Sequence, residues 1–124
     1  MKIIVKSLMG LFFILLIVLS PAFAEEPSLS LDKTVFAPGE DISVHFTAPP
    51  GYSGNAWVGI IPSSVAHGSE AENDKYDIAY QYLEGRTSGT LVFKAPTQPG
   101  NYDFRMNDSD NGGKEVASVS FTVR

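Results

Sequence analysis

Pro99-Gly100-Asn101-Tyr102-Asp103-Phe104-Arg105-Met106, with Asn111-Gly112-Gly113 and the alternating run that ends at Val123 behind it, is the stretch whose reading decides the fold. Tyr102 precedes an apolar Phe104 by two residues. That is the spacing of a tyrosine corner, in which a phenol at the start of a strand bonds back to the preceding chain. Asp103 and Arg105 alternate with Tyr102 and Phe104 and so point outward. An Asn-Gly turn then leads into Ala117, Val119, Phe121 and Val123, spaced by two and facing in. The segment reads as the last two strands of an antiparallel β-sandwich.

The rest of the chain repeats the pattern. Leu29 and Leu31 alternate with polar neighbours, and Phe36-Ala37-Pro38-Gly39-Glu40 is a turn. Ile42, Val44 and Phe46 alternate with Ser43, His45 and Thr47, and Pro49-Pro50-Gly51 closes that strand. Trp57-Val58-Gly59-Ile60-Ile61 is apolar on both faces, which reads as a central strand with Trp57, Gly59 and Ile61 inward and Val58 and Ile60 outward. Ser63 to Asp77 is polar and aperiodic and reads as a long loop with a helical turn near Glu70–Asp74. Tyr80 to Leu83 and Leu91, Phe93, Ala95 supply two further strands. The fold class is all-β, an immunoglobulin-like antiparallel β-sandwich of about seven strands.

Charge and composition bound the partners. The 124 residues carry 9 basic and 14 acidic side chains and no cysteine. Lys2 and Lys6 precede an apolar run from Leu8 to Leu19 and the small-x-small exit Ala22-Phe23-Ala24. This is the pattern of a secretory signal peptide over residues 1–24, with the mature domain at 25–124. The apolar run is shorter than the roughly 20 residues that span a bilayer, so cleavage is favoured over anchoring. Without Lys2 and Lys6 the net charge moves from −5 to −7. Such a surface repels nucleic acid and, after cleavage, anionic membranes. The leader and the absence of disulfides point to a bacterial protein, periplasmic or secreted.

The core pattern Gly39-Glu40-x-Ile42-x-Val44-x-Phe46, Trp57-Val58-Gly59-Ile60, Phe93, Pro99-Gly100-x-Tyr102-x-Phe104 and Ser118-Val119-x-Phe121 resembles the SKICH type of immunoglobulin-like domain. It is also similar to the fibronectin-like N-terminal domain of purple acid phosphatases. The resemblance implies a non-catalytic domain used for targeting and protein contact. It differs here in standing alone behind an export signal, so a cytosolic role does not carry over. Its matching positions are core positions, which speak for fold more than for function.

Several side chains could carry function. Asn107, Asp108, Asp110 and Asn111 sit as closely spaced oxygen donors, which resembles the start of a calcium loop. Counted from Asp108, however, position twelve is Val119, which cannot ligate, and Glu115 falls at position eight. The same residues also suit a hairpin turn. His67, Glu70, Glu72, Asp74 and Asp77 in the long loop could support acid–base chemistry or simply a solvated surface. His45 faces out from its strand, away from His67, so no transition-metal site is indicated. No cysteine nucleophile, nucleophile elbow or phosphate loop is present, so the chain reads as a non-enzyme. Tyr80 and Tyr82 share one face of a strand and suit a protein or sugar partner. Val58 and Ile60, flanked by Arg105, form a second candidate patch.

The sequence therefore supports an exported binding module that contacts an envelope protein and needs no cofactor. Two alternatives stand beside it: a carbohydrate-binding module, stiffened by calcium, and a hydrolase working from the acidic loop.

Overall fold

The computed structural model describes residues 26–124. The signal peptide expected over residues 1–24 lies outside the described residues. Eight strands appear in chain order: β1 Ser28–Leu31, β2 Val35–Phe36, β3 Asp41–Thr47, β4 Trp57–Pro62, β5 Ala79–Tyr82, β6 Ser88–Lys94, β7 Gly100–Asn107 and β8 Glu115–Val123. Among the described residues there is one helix, α1 at Glu70–Tyr76, between β4 and β5. A three-stranded sheet runs β1-β3-β6 and a five-stranded sheet runs β2-β8-β7-β4-β5. Every pairing is antiparallel except β2 with β8, where the two-residue β2 runs parallel to the last strand. The all-β sandwich is thus the architecture, and among the described residues no helix is long and apolar enough to cross a membrane.

The core lies between the sheets. Ile42, Val44 and Phe46 of β3 and Leu91 and Phe93 of β6 face Phe104, Met106 and Phe121 of the larger sheet. Phe104 stacks on Phe121 at 4.8 Å between centroids and meets Phe93 at 5.1 Å. The tyrosine corner is present: the Tyr102 hydroxyl donates to the Gln98 carbonyl at 2.7 Å. That bond lets a buried phenol keep a partner while its ring stacks on Phe121.

The central strand faces the opposite way from its sequence reading. Val58 and Ile60 pair with Met106 and Phe104 and enter the core, both fully buried. Trp57, Gly59 and Ile61 pair with Asn107, Arg105 and Asp103 and lie on the outer face. Cross-strand partners share a face, so the parity of β7 dictates the parity of β4, and a one-residue difference in register inverts every side chain. The exposed Val58–Ile60 patch therefore does not exist. Trp57 is buried as well, but beneath α1 and not between the sheets.

Gly59 shows how tightly this outer layer is built. A Cβ there would lie 2.5 Å from the Trp57 ring and 3.0 Å from the Ala79 carbonyl oxygen. The indole lies across the bare glycine backbone, and its edge meets the Tyr80 ring at 6.3 Å. We expect Ile60→Ala to cost about 2–5 kcal/mol in urea denaturation, as loss of a core side chain. Gly59→Ala should displace the indole and change tryptophan fluorescence, at a cost of about 1–3 kcal/mol.

Candidate functional site

The segment between β4 and β5 is the unusual part of the molecule. It folds over the outer face of the five-stranded sheet and buries a polar layer there. Its helix starts at Ser69, whose side chain accepts the Glu72 N–H at 3.2 Å. Ser69-Glu70-Ala71-Glu72 matches the Ser-x-x-Glu capping sequence, so this signal could have located α1. Main-chain bonds stitch the segment to the start of β8: Glu70 N to Gly113 O at 3.3 Å and Glu115 N to Gly68 O at 3.1 Å.

Arg105 is the hub of the layer. It stands on the outer face, as its alternation predicts, but it is wholly buried and cannot serve as an exposed binding residue. Its Nε and Nη2 donate to one Asp103 oxygen at 3.0 and 2.8 Å. Nη1 donates to Asn73 Oδ1 at 2.9 Å and to the Ala66 carbonyl at 3.2 Å, and Nη2 donates to the Val65 carbonyl at 2.7 Å. His67 closes the edge, with Nδ1 2.6 Å from Glu115 and Nε2 3.3 Å from Arg105 Nη2. Asp103 takes two further donors, Ser63 at 2.7 Å and Ser120 at 2.8 Å. Burial pushes the Asp103 carboxyl up, but the hydrogen bonds from Ser63, Arg105 and Ser120 and the guanidinium charge outweigh it and hold the group below its ordinary 3.8.

The proposed calcium residues separate. Asn107 is fully buried and accepts from the Asn73 amide at 2.8 Å, so it cannot reach a solvent cation. Asp108 closes the turn by accepting the Lys114 N–H at 3.0 Å, and Gly112 takes the left-handed conformation at φ 71°. Asn111 stays exposed, its N–H bonded to Ser109 Oγ at 3.1 Å. The hairpin-turn reading accounts for these contacts. Asp110 leaves that group for another, and its carboxylate joins Glu70 and Asp74 of α1, with ligand atoms within 4.8 Å of one another. Glu70 is buried and holds the Trp57 indole N–H at 3.1 Å and the Gly112 N–H at 3.0 Å. Among the described residues, this trio is the set of acidic side chains that could hold a hard cation. It draws one residue from the turn and two from the acidic loop, a juxtaposition only the fold creates.

Beside the trio runs an apolar row. Ile78, Tyr80 and Tyr82 occupy alternate positions at β5 on the outer side, and Tyr80 is 54% exposed. The two phenol rings meet edge to face, 5.4 Å apart at 76°. Tyr82 donates its hydroxyl to Asp110 at 2.8 Å, and that bond, with the nearby carboxylate charge, raises the phenol to about 12. Asp77 is pushed upward by burial and by the charges of Asp74 and Asp110. The expected Tyr80–Tyr82 face is therefore present, rimmed by acid.

A further constellation lies on the opposite sheet. Thr90 Oγ1 is 2.9 Å from His45 Nδ1, and His45 Nε2 is 3.2 Å from Asp32. The order resembles a nucleophile–base–orienter set. Its members are solvent-facing, and Thr90 and His45 are a direct cross-strand pair on an open sheet. Among the described residues no second hydrogen bond reaches the Thr90 hydroxyl, so nothing organises it for attack.

No protein-family model matches this chain, and no curated protein aligns with it significantly. The chemistry of the outer layer and of the β5 row is what bears on function.

Arg105→Ala should cost about 3–5 kcal/mol, because it strands buried carboxylates. The folded-state value of Asp103 lies below its unfolded value. Its contribution is thus complete above about pH 4 and is lost as pH falls through the folded value. Urea midpoints of the wild type should fall more steeply below about pH 4 than those of Asp103→Asn, whose baseline is lower. In chelator-treated buffer, Asp74→Asn should raise the melting temperature by about 1–3 °C, since it relieves like-charge crowding. The same melt in millimolar calcium reads directly whether the trio takes up a cation.

Proposed function

We propose that this chain is a non-catalytic exported binding module that contacts a protein of the cell envelope through the outer side of β5. The exposed row Ile78, Tyr80 and Tyr82 carries the reading. These side chains offer rigid apolar area at low entropic cost, and they sit where the sheet ends. The resemblance to SKICH domains, whose role is protein contact, supports the same reading. The leader pattern supports a partner outside the cytoplasm, in the periplasm or beyond.

Ring geometry favours a protein over a glycan. The Tyr80 and Tyr82 rings lie at 76° to one another, so the pair makes no single flat platform for a sugar ring. The acidic side chains favour binding over hydrolysis. Glu70 is committed to the Trp57 indole and the turn, and Asp103 to Arg105 and two serines.

The test places a photo-crosslinking phenylalanine analogue at position 80 in the native host, with a control at Ser43 on the other sheet. A discrete protein adduct from position 80 alone, lost when Tyr82→Ala is added, is the expected outcome. Equal adducts from both positions would overturn the reading. So would retention by polysaccharide that depends on the two tyrosines.

A further inference from the structure

β5 is an edge strand, the last of the five-stranded sheet, and it pairs only with β4. Leu83 N donates to the Ala56 carbonyl at 2.9 Å, which extends the β4–β5 register by one pair. Antiparallel strands alternate between residues that bond to the partner and residues whose N–H and C=O point away from it. Counted from Leu83, Gln81 and Ala79 bond to β4. Tyr80 and Tyr82 then direct their main-chain groups to the open edge, and among the described residues nothing pairs with these groups.

Natural edge strands are blunted by proline, by charge or by extreme shortness. β2, at the other end of the same sheet, has two residues. β6 has its Val92 carbonyl covered by the Gln81 side-chain amide at 2.7 Å. β5 reads Ala-Tyr-Gln-Tyr, with neither proline nor charge. An open hollow lined by Tyr80, Gln81, Tyr82, Glu84 and Arg86 runs along it.

The geometry points to strand addition: β5 accepts an extended basic segment of a partner protein, which adds as a sixth strand beside Tyr80 and Tyr82. This rests on the binding reading above and specifies its mode. Main-chain bonds to the free edge supply affinity, and alternate side chains of the incoming strand pack on the Ile78–Tyr80–Tyr82 row. Charge complementarity sets the sign of the partner. Asp110, bonded to the Tyr82 hydroxyl, with Asp74 and Asp77 beside it, forms an acidic rim on the face that carries the tyrosines, while Glu84 and Arg86 offset each other in the hollow. Lysine or arginine at alternate positions of an extended segment would meet that rim. A second copy of this chain would bring the same acids to the seam, and like charges disfavour it.

The experiment selects a displayed library of random dodecapeptides on the full chain as its host processes it, then measures the most enriched peptide by fluorescence anisotropy. Enrichment of sequences with Lys or Arg at alternate positions is expected, with binding that weakens as salt rises. Tyr80→Ala removes one ring, whereas Tyr80→Pro also removes the free N–H, at a place where an edge strand tolerates proline. Tyr80→Pro should weaken binding at least tenfold beyond Tyr80→Ala. Alternate N-methylation of the peptide, tested on the unmodified protein, should cause a similar loss and does not depend on the variant folding. Equal losses for the two variants, with methylation harmless, would overturn strand addition and leave side-chain docking standing. No loss with Tyr80→Ala would overturn both, and so would no enrichment or enrichment of acidic peptides.

Discussion

A guanidinium buried on the outside of a sheet sets the terms for the rest of this molecule. Arg105 projects away from the sandwich core, yet it is completely covered. A charge in that position is tolerable only when it is fully hydrogen-bonded and paired. Asp103 supplies the counter-charge, and the carbonyls of Val65 and Ala66 with the Asn73 amide supply the remaining acceptors. Those acceptors all belong to the segment between β4 and β5. Lifting the segment away would break the bonds from Arg105 to Val65, Ala66 and Asn73 together, so a polar, aperiodic stretch becomes a fixed second layer.

That layer positions everything that could act. It presses α1 against Trp57, and Glu70 bridges the indole to the turn between β7 and β8. The bridge brings Asp74 beside Asp110, and Asp110 holds the Tyr82 hydroxyl. The β5 row is consequently a rigid surface backed by the indole, with an acidic rim of fixed position. Rigidity matters for recognition, because side chains already ordered lose less entropy when a partner docks.

Much of the fold was legible in the sequence. The period of two in β3, β6 and β8, the tyrosine corner at Tyr102 and the Asn-Gly turn each rest on local geometry that a linear reading captures. The shared face of Tyr80 and Tyr82 was legible for the same reason. The facing of β4 was not, because a strand apolar on both sides carries no period, and only its register with β7 settles which residues enter the core. The helix was half legible: its acidic composition suggested a solvated loop, while Ser69 and Glu72 carried a capping signal.

By itself the sequence determined the class of object, an all-β sandwich, and the parity of most of its strands, since alternation is a property of consecutive residues. Tertiary structure alone decided which polar residues meet. Arg105 lies about 30 to 40 positions from the acceptors in Val65, Ala66 and Asn73, and Asp110 lies 36 positions from Asp74. No local preference encodes such pairings. They follow from packing a long segment over a sheet whose outer face already held a buried charge, and that packing leaves β5 as the open edge.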